Sequence, residues 1–193
     1  MIKVVIRLRK LAAALLCALI FTSGLTAYSD SIGEELSEGI VRLHIIANSD
    51  SDTDQGVKIK VRDAVLAKMD ELESKEEAKE HLEEFEAIAN EVLKENGFSY
   101  RASAEYGNFE FPTKYYDNFA LPKGNYDAVR IKLGEAEGKN WWCVLFPPLC
   151  YVDAATEEAD ELLKETFGDN YDLVKNGEGK LPVKIKFKIA ELF

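Results

Sequence analysis

Between Ile40 and Ala47, apolar Val41, Leu43, Ile45 and Ala47 alternate with Arg42 and His44, the period of a strand that buries one face. The polar run Asn48-Ser49-Asp50-Ser51-Asp52-Thr53-Asp54 ends that strand and opens a helix. Ser51 or Asp52 can cap it, Gln55 stands three residues after Asp52 as a capping box requires, and Val57, Val61, Ala64 and Val65 form its buried stripe. A second helix begins at the capping box of Ser74 and Glu77. It continues through Ala78, Leu82, Phe85, Ala89, Val92 and Leu93 and stops at Gly97. From Phe98 the period becomes two: Phe98, Tyr100, Ala102 and Ala104 share one face, then Val129, Ile131 and Leu133, and Trp141 to Phe146 make a third run. The spacing makes Gly134 to Asn140 a hairpin joining the last two runs, and Gly107 to Gly124, bracketed by Pro112 and Pro122, a long aromatic loop. Ala155, Ala159, Leu162, Leu163 and Phe167 predict a third helix ending at Gly168, and Val183, Ile185, Phe187 and Ile189 a closing strand. Strands and helices grouped in this way predict an α+β fold. Its mainly antiparallel sheet has four or five strands, with two or three helices packed on one face.

The first residues follow a different logic. Lys3, Arg7, Arg9 and Lys10 precede an unbroken apolar run from Leu11 to Phe21, the layout of a secretory signal. The run is shorter than the roughly 20 residues of a comfortable membrane span, so cleavage after 1–27 is favoured over anchoring. Leu25-Thr26-Ala27 nevertheless puts a large residue where a cleavage site prefers a small one, and an uncleaved segment would keep the protein in contact with the membrane. A flexible linker is expected over 28–39 and a single globular domain over 40–193. Loss of the leader would remove four of the 24 Lys and Arg and none of the 35 Asp and Glu, taking the net charge from -11 to -15. Nucleic acid is a poor partner for such a surface.

Export permits disulfides. Cys143 and Cys150 flank a stretch containing Pro147-Pro148 that can bend the chain back, and a bridge closing so short a loop would contribute roughly 2.5 kcal/mol. The alternative is two free buried thiols. The chain has only two histidines, His44 and His81, neither in a recognisable catalytic motif. Asn48, Asp50, Asp52 and Asp54 resemble a calcium loop, but counting from Asp50 the glycine falls one place late and the twelfth position is Val61 instead of Glu. A helix cap explains the same acids, so no metal or other cofactor is expected. Paired carboxylates for glycan hydrolysis stay open as an alternative, because acids are abundant. The densest charge pattern is Asp54, Lys58 and Arg62 at successive helical turns with Asp63 beside them: either a solvated face or a recognition surface.

Three stretches carry a resemblance. They are VRLHIIANSDS from Val41 to Ser51 with Asp54-Gln55, KIKVRDAV from Lys58 to Val65, and KNWWCVLFPPLCYVD from Lys139 to Asp153. Together they resemble the stage II sporulation protein R family of endospore-forming bacteria. The resemblance implies a signalling protein and not an enzyme. Such proteins are made in the forespore and exported to the space between the forespore and mother-cell membranes. There they activate a membrane-embedded aspartic protease that processes a mother-cell sigma factor precursor. No catalytic residues carry over. The partner-binding surface expected on the matched block comprises Arg42, His44, Asn48, Asp50, Asp54, Gln55, Lys58, Arg62 and Asp63.

Overall fold

The computed structural model describes residues 2–69, 74–116, 119–150 and 156–175. They fall into two compact units, Met1–Glu35 and Leu36–Phe193. Helix α1 (Ile2–Glu38) exposes Leu11, Leu15, Leu16, Leu19, Ile20 and Phe21, all of them in the first unit. Among the described residues no helix is both long and apolar enough to cross a membrane.

The second unit is α+β. Its elements are β1 (Val41–Ile46), α2 (Asp52–Met69), α3 (Lys75–Glu80), α4 (Leu82–Glu95), β2 (Ala102–Phe111), β3 (Lys114–Tyr115), β4 (Ala120–Leu121), β5 (Gly124–Leu133), β6 (Asn140–Phe146), α5 (Glu157–Phe167) and α6 (Tyr171–Lys175). Four strands form one sheet in the order β2-β5-β1-β6, and β3 pairs with β4 in a small separate hairpin. Two of the three pairings in the large sheet are antiparallel; β1 and β5 run parallel.

The position of β1 alters two expectations. Because it lies between β5 and β6, these strands do not pair, and 134–139 is not a hairpin loop but a link that crosses the end of β1. Strand periodicity reports which face is buried, not which neighbour is bonded, so the sequence pattern could not show this. The outer face of β1 is also closed, since Arg42 and His44 are buried. The region 107–124 is shorter as a loop than expected: β2 runs on to Phe111 and β5 starts at Gly124, with β3 and β4 between them. Phe98 and Tyr100 precede β2 instead of belonging to it.

The helix expected from Ser74 to Gly97 is divided at His81 into α3 and α4. Helix α2 is capped by Ser51, whose Oγ accepts from the Asp54 amide at 3.2 Å. Thr156 caps α5 through the Ala159 amide, and α5 stops at Gly168 with a positive φ of 46°. The closing strand expected near Val183 to Ile189 lies outside the described residues.

Helices α2 and α4 cover one face of the sheet. Val61, Val65, Phe85, Ala89 and Leu93 meet Leu43, Ile45, Val129, Ile131 and Leu133, and all ten are essentially inaccessible. On the other face Phe111, Phe119, Leu121, Tyr126, Ala128 and Val144 are buried, and α6 packs against β4. Cys143 of β6 is joined to Cys150, with 5.7 Å between Cα atoms.

Candidate partner-binding site

The run that follows β1 closes on itself and on the 134–139 link. Asp54 is buried, and three side chains donate to its carboxylate: Asn48 Nδ2 at 2.9 Å, Ser49 Oγ at 2.5 Å and Tyr100 OH at 2.6 Å. Burial works to raise the Asp54 pKa, but hydrogen bonds from Ser49, Tyr100, Asn48 and Ser51 outweigh it and hold the group below the usual range. Burial, with help from Asp54, pushes Tyr100 upward, so its hydroxyl stays a donor.

Lys58, one turn along α2, is equally enclosed. Its Nζ donates to Gln55 Oε1 at 2.6 Å and to the Lys139 carbonyl at 2.9 Å, while Gln55 Nε2 donates to the Ser49 carbonyl. Burial lowers the Lys58 pKa and the charge of Asp50 resists it. Asp50 in turn accepts the Lys139 amide at 2.7 Å, and Asn48 Oδ1 accepts the Glu135 amide at 3.0 Å. Two glycines let the link lie this close. A Cβ on Gly138 would stand 2.2 Å from the Ser49 carbonyl oxygen, and one on Gly134, where φ is +56°, 2.2 Å from Asn48 Oδ1. Of the acids that resemble a calcium loop, Asp50 and Asp54 are thus turned towards protein donors.

The nine candidate residues do not form one surface. Asn48, Asp50, Asp54, Gln55 and Lys58 belong to this clasp. Arg62 and Asp63 are ion-paired farther along α2, and the Arg62 guanidinium lies 4.3 Å from the Trp141 ring centroid. Arg42 and His44 are on the opposite face of the sheet. Arg42, His44, Asp54 and Lys58 are buried, none above 6% exposure. Asp50, Gln55, Arg62 and Asp63 retain accessible surface.

The opposite face is aromatic. His44 stacks on Trp142 with centroids 3.7 Å apart, and its Nε2 lies 2.7 Å from Asn140 Oδ1. Burial lowers its pKa to about 4, Asn140 opposes this, Arg130 and Arg42 add to it, and Glu105 opposes it. His81 instead sits between α3 and α4, its Nδ1 2.9 Å from the Glu77 carbonyl. Sequence reading missed Tyr100, Lys139, Gly134 and Gly138. The two glycines, four apart at a strand end, were the available signal, but only the crossing of β1 gives them their purpose.

A family model described as stage II sporulation protein R matches residues 37–156, which include the clasp, all four strands of the large sheet and both bridged cysteines. The chain belongs to the stage II sporulation protein R family. Stage II sporulation protein R of Bacillus subtilis (strain 168) is 44% identical over 127 residues, which are 62% of this chain and 57% of that protein. The match therefore spans little more than half the length of the relative. No solved structure matches. Membership of this family gives the chain a role in sporulation, and all nine candidate positions fall inside the matched region.

Proposed function

We propose that this chain is an exported signalling protein of endospore formation. It acts between the forespore and mother-cell membranes, without catalysis of its own, on a membrane-embedded aspartic protease whose activation leads to processing of a mother-cell sigma factor precursor. The family match over residues 37–156 carries the reading. The basic and then apolar N-terminus supports export. A domain with the parallel pair β1 and β5 at the centre of its large sheet and with Asn48, Asp50 and Asp54 of its polar turn hydrogen-bonded is suited to presenting a fixed surface. An activator must bind one receptor state better than the other by a few kcal/mol, and a preorganised surface loses less entropy in doing so.

The contact surface we assign is the accessible rim of the clasp, Asp50 and Gln55, together with Arg62 and Asp63 on α2. The test is co-expression of the chain with the candidate protease and its sigma precursor, followed by scoring of precursor cleavage. Cleavage that needs the chain, and is lost when residues 1–27 are deleted, is the expected result. Equal cleavage without the chain would overturn the reading.

A further inference from the structure

The two faces of the large sheet are covered to different extents. Helices α2 and α4 lie over one. On the other, the strand register lines side chains up in rows across the sheet: Glu105, Arg130, His44 and Trp142 form one row, and Lys132, Ile46 and Asn140 the next. The adjoining row of Ala128, Arg42 and Val144 is buried, and Tyr116, which follows β3, accepts from Arg42 there at 3.0 Å. That cover ends at the two outer rows. His44 is still closed over by the stacked ring of Trp142, but the side chains of Glu105, Arg130 and Lys132 are 41%, 24% and 37% exposed, Ile46 and Trp142 are half-buried, and Asn140 is exposed.

Charge on this strip runs against that of the whole chain. Arg130 Nε and Nη2 and Lys132 Nζ converge on one oxygen, Glu105 Oε1, at 2.7, 2.7 and 2.6 Å. One carboxylate therefore answers two cations. Lys114 brings a third, 5.5 Å from the Trp142 ring centroid. The neighbours feel the excess: burial lowers the Lys114 pKa and the Arg42 charge lowers it further, while His44 is lowered first by burial, against its bond to Asn140, and then by Arg130 and Arg42. The chain as a whole has a net charge of -11, so an approaching anionic segment meets one locally cationic strip on an otherwise acidic protein.

Apolar surface lies between these cations. The Trp142 ring stacks on His44 with centroids 3.7 Å apart, the Arg130 guanidinium lies 3.8 Å from the Phe109 centroid, and Ile46 stands in the outer row. Arginine and aromatic rings already held in place are what the energetic centre of a protein interface is made of, because they bury much area at little further entropic cost. From β2 to β6 the strip is about 14 Å across, the length of about four residues of extended chain.

We propose that this strip docks an extended acidic segment of a protein partner, with Arg130, Lys132 and Lys114 facing its carboxylates and Ile46 and Trp142 facing its apolar side chains. The proposal stands independently of the protease reading and of the contact surface on α2.

The test uses the full chain in neutral detergent micelles at pH 7. The probe is a blocked octapeptide in which pairs of glutamate alternate with pairs of valine, so that each edge of the extended peptide shows both. Its counterpart with glutamine for glutamate is the control, and protein-free micelles are the blank. The acidic peptide should bind at least tenfold tighter than the neutral one, and more weakly as sodium chloride is raised. Lys132→Gln should weaken binding about fivefold. Glu105→Gln should tighten it about threefold, because it frees Arg130 and Lys132 from the carboxylate that competes with the peptide. Lys60→Gln on α2 should leave it unchanged. Equal affinity for the two peptides, unchanged affinity in Lys132→Gln, or unchanged or weaker binding in Glu105→Gln overturns the proposal.

A second readout needs no variant. The chain has two tryptophans on opposite faces of β6: Trp142 stacks on His44, and Trp141 lies against the Arg62 guanidinium. The acidic peptide should shift the Trp142 indole N–H resonance and leave that of Trp141 in place. No shift, or a Trp141 shift as large as that of Trp142, overturns the site. Micelles doped with phosphatidylglycerol separate a peptide from a lipid surface. The Trp142 resonance should respond to the peptide and not to the anionic lipid, and a response to the lipid as large as that to the peptide overturns the proposal in favour of a membrane surface.

Discussion

At the end of β1, Asp54 and Lys58 are buried and hydrogen-bonded: Asp54 receives three side-chain donors, and Lys58 reaches a side-chain amide and a backbone carbonyl. On the other face of the same strand Arg42 is buried still more completely, yet two of its three nitrogens lack an acceptor among the described residues. The first arrangement explains stability, because a buried charge surrounded by donors or acceptors in place is costly to disturb. The second rests on the faces of Phe111 and Tyr126 and one hydroxyl acceptor, Tyr116. One face of the β1 region satisfies its buried charges, and the other leaves one partly unsatisfied.

The sharpest way to break that contrast is at Asp54. Asp54→Ala leaves Asn48, Ser49 and Tyr100 with buried donors and should destabilise the domain by about 3–5 kcal/mol, seen as a lowered urea midpoint at unchanged slope. A loss below about 1 kcal/mol would show that water replaces the carboxylate easily.

Acid acts on the two faces in separate windows. The folded pKa of His44, about 4, lies below its ordinary value of 6.5, so between these pH values the unfolded chain takes up a proton that the folded chain refuses. Stability should fall by up to about 3 kcal/mol as pH drops from about 6.5 to about 4, then level off for this group. His44→Phe should remove that step, measured as the difference in unfolding free energy between pH 7 and pH 5. Asp54, also depressed, contributes fully above its ordinary value of 3.8 and loses its contribution only as pH falls further.

Gly138→Ala should cost about 2–3 kcal/mol, since the new Cβ would meet the Ser49 backbone, which cannot yield as a side-chain tip can. Gly56→Ala, at a helical position with open space around it, should instead be neutral or slightly stabilising. The smallest effect is expected at the rim. Arg62→Ala removes the stacking on Trp141 and a partly exposed ion pair and should cost about 0.5–1 kcal/mol by thermal unfolding.

Much of the helix-side core could be read from periodicity. Val57, Val61 and Val65 on α2, and Leu43 and Ile45 on β1, are buried as their spacing requires. The polar turn after β1 and the pairing of Cys143 with Cys150 were also legible, because capping and short-range bridging are local properties. What escaped was non-local. Nothing in the alternation of Arg42 and His44 with apolar residues says that a second layer covers them, because polar positions on a strand ordinarily mark its solvent face. The insertion of β1 between β5 and β6 is a choice of neighbour, and that choice turns five charged or polar candidates into a clasp. Arg62 and Asp63 lie where helical spacing put them, on the accessible side of α2.

The most direct test of the account is reconstitution. The purified full chain is added from outside to vesicles that carry the protease in the membrane and the sigma precursor inside, and precursor shortening is followed with time. The account predicts shortening only when folded chain is present, at least tenfold slower with the charge reversals Arg62→Glu and Asp63→Lys combined in a variant that keeps the native urea midpoint. No shortening at saturating folded chain would contradict activation across the membrane, and full activity of the double reversal would contradict the contact surface.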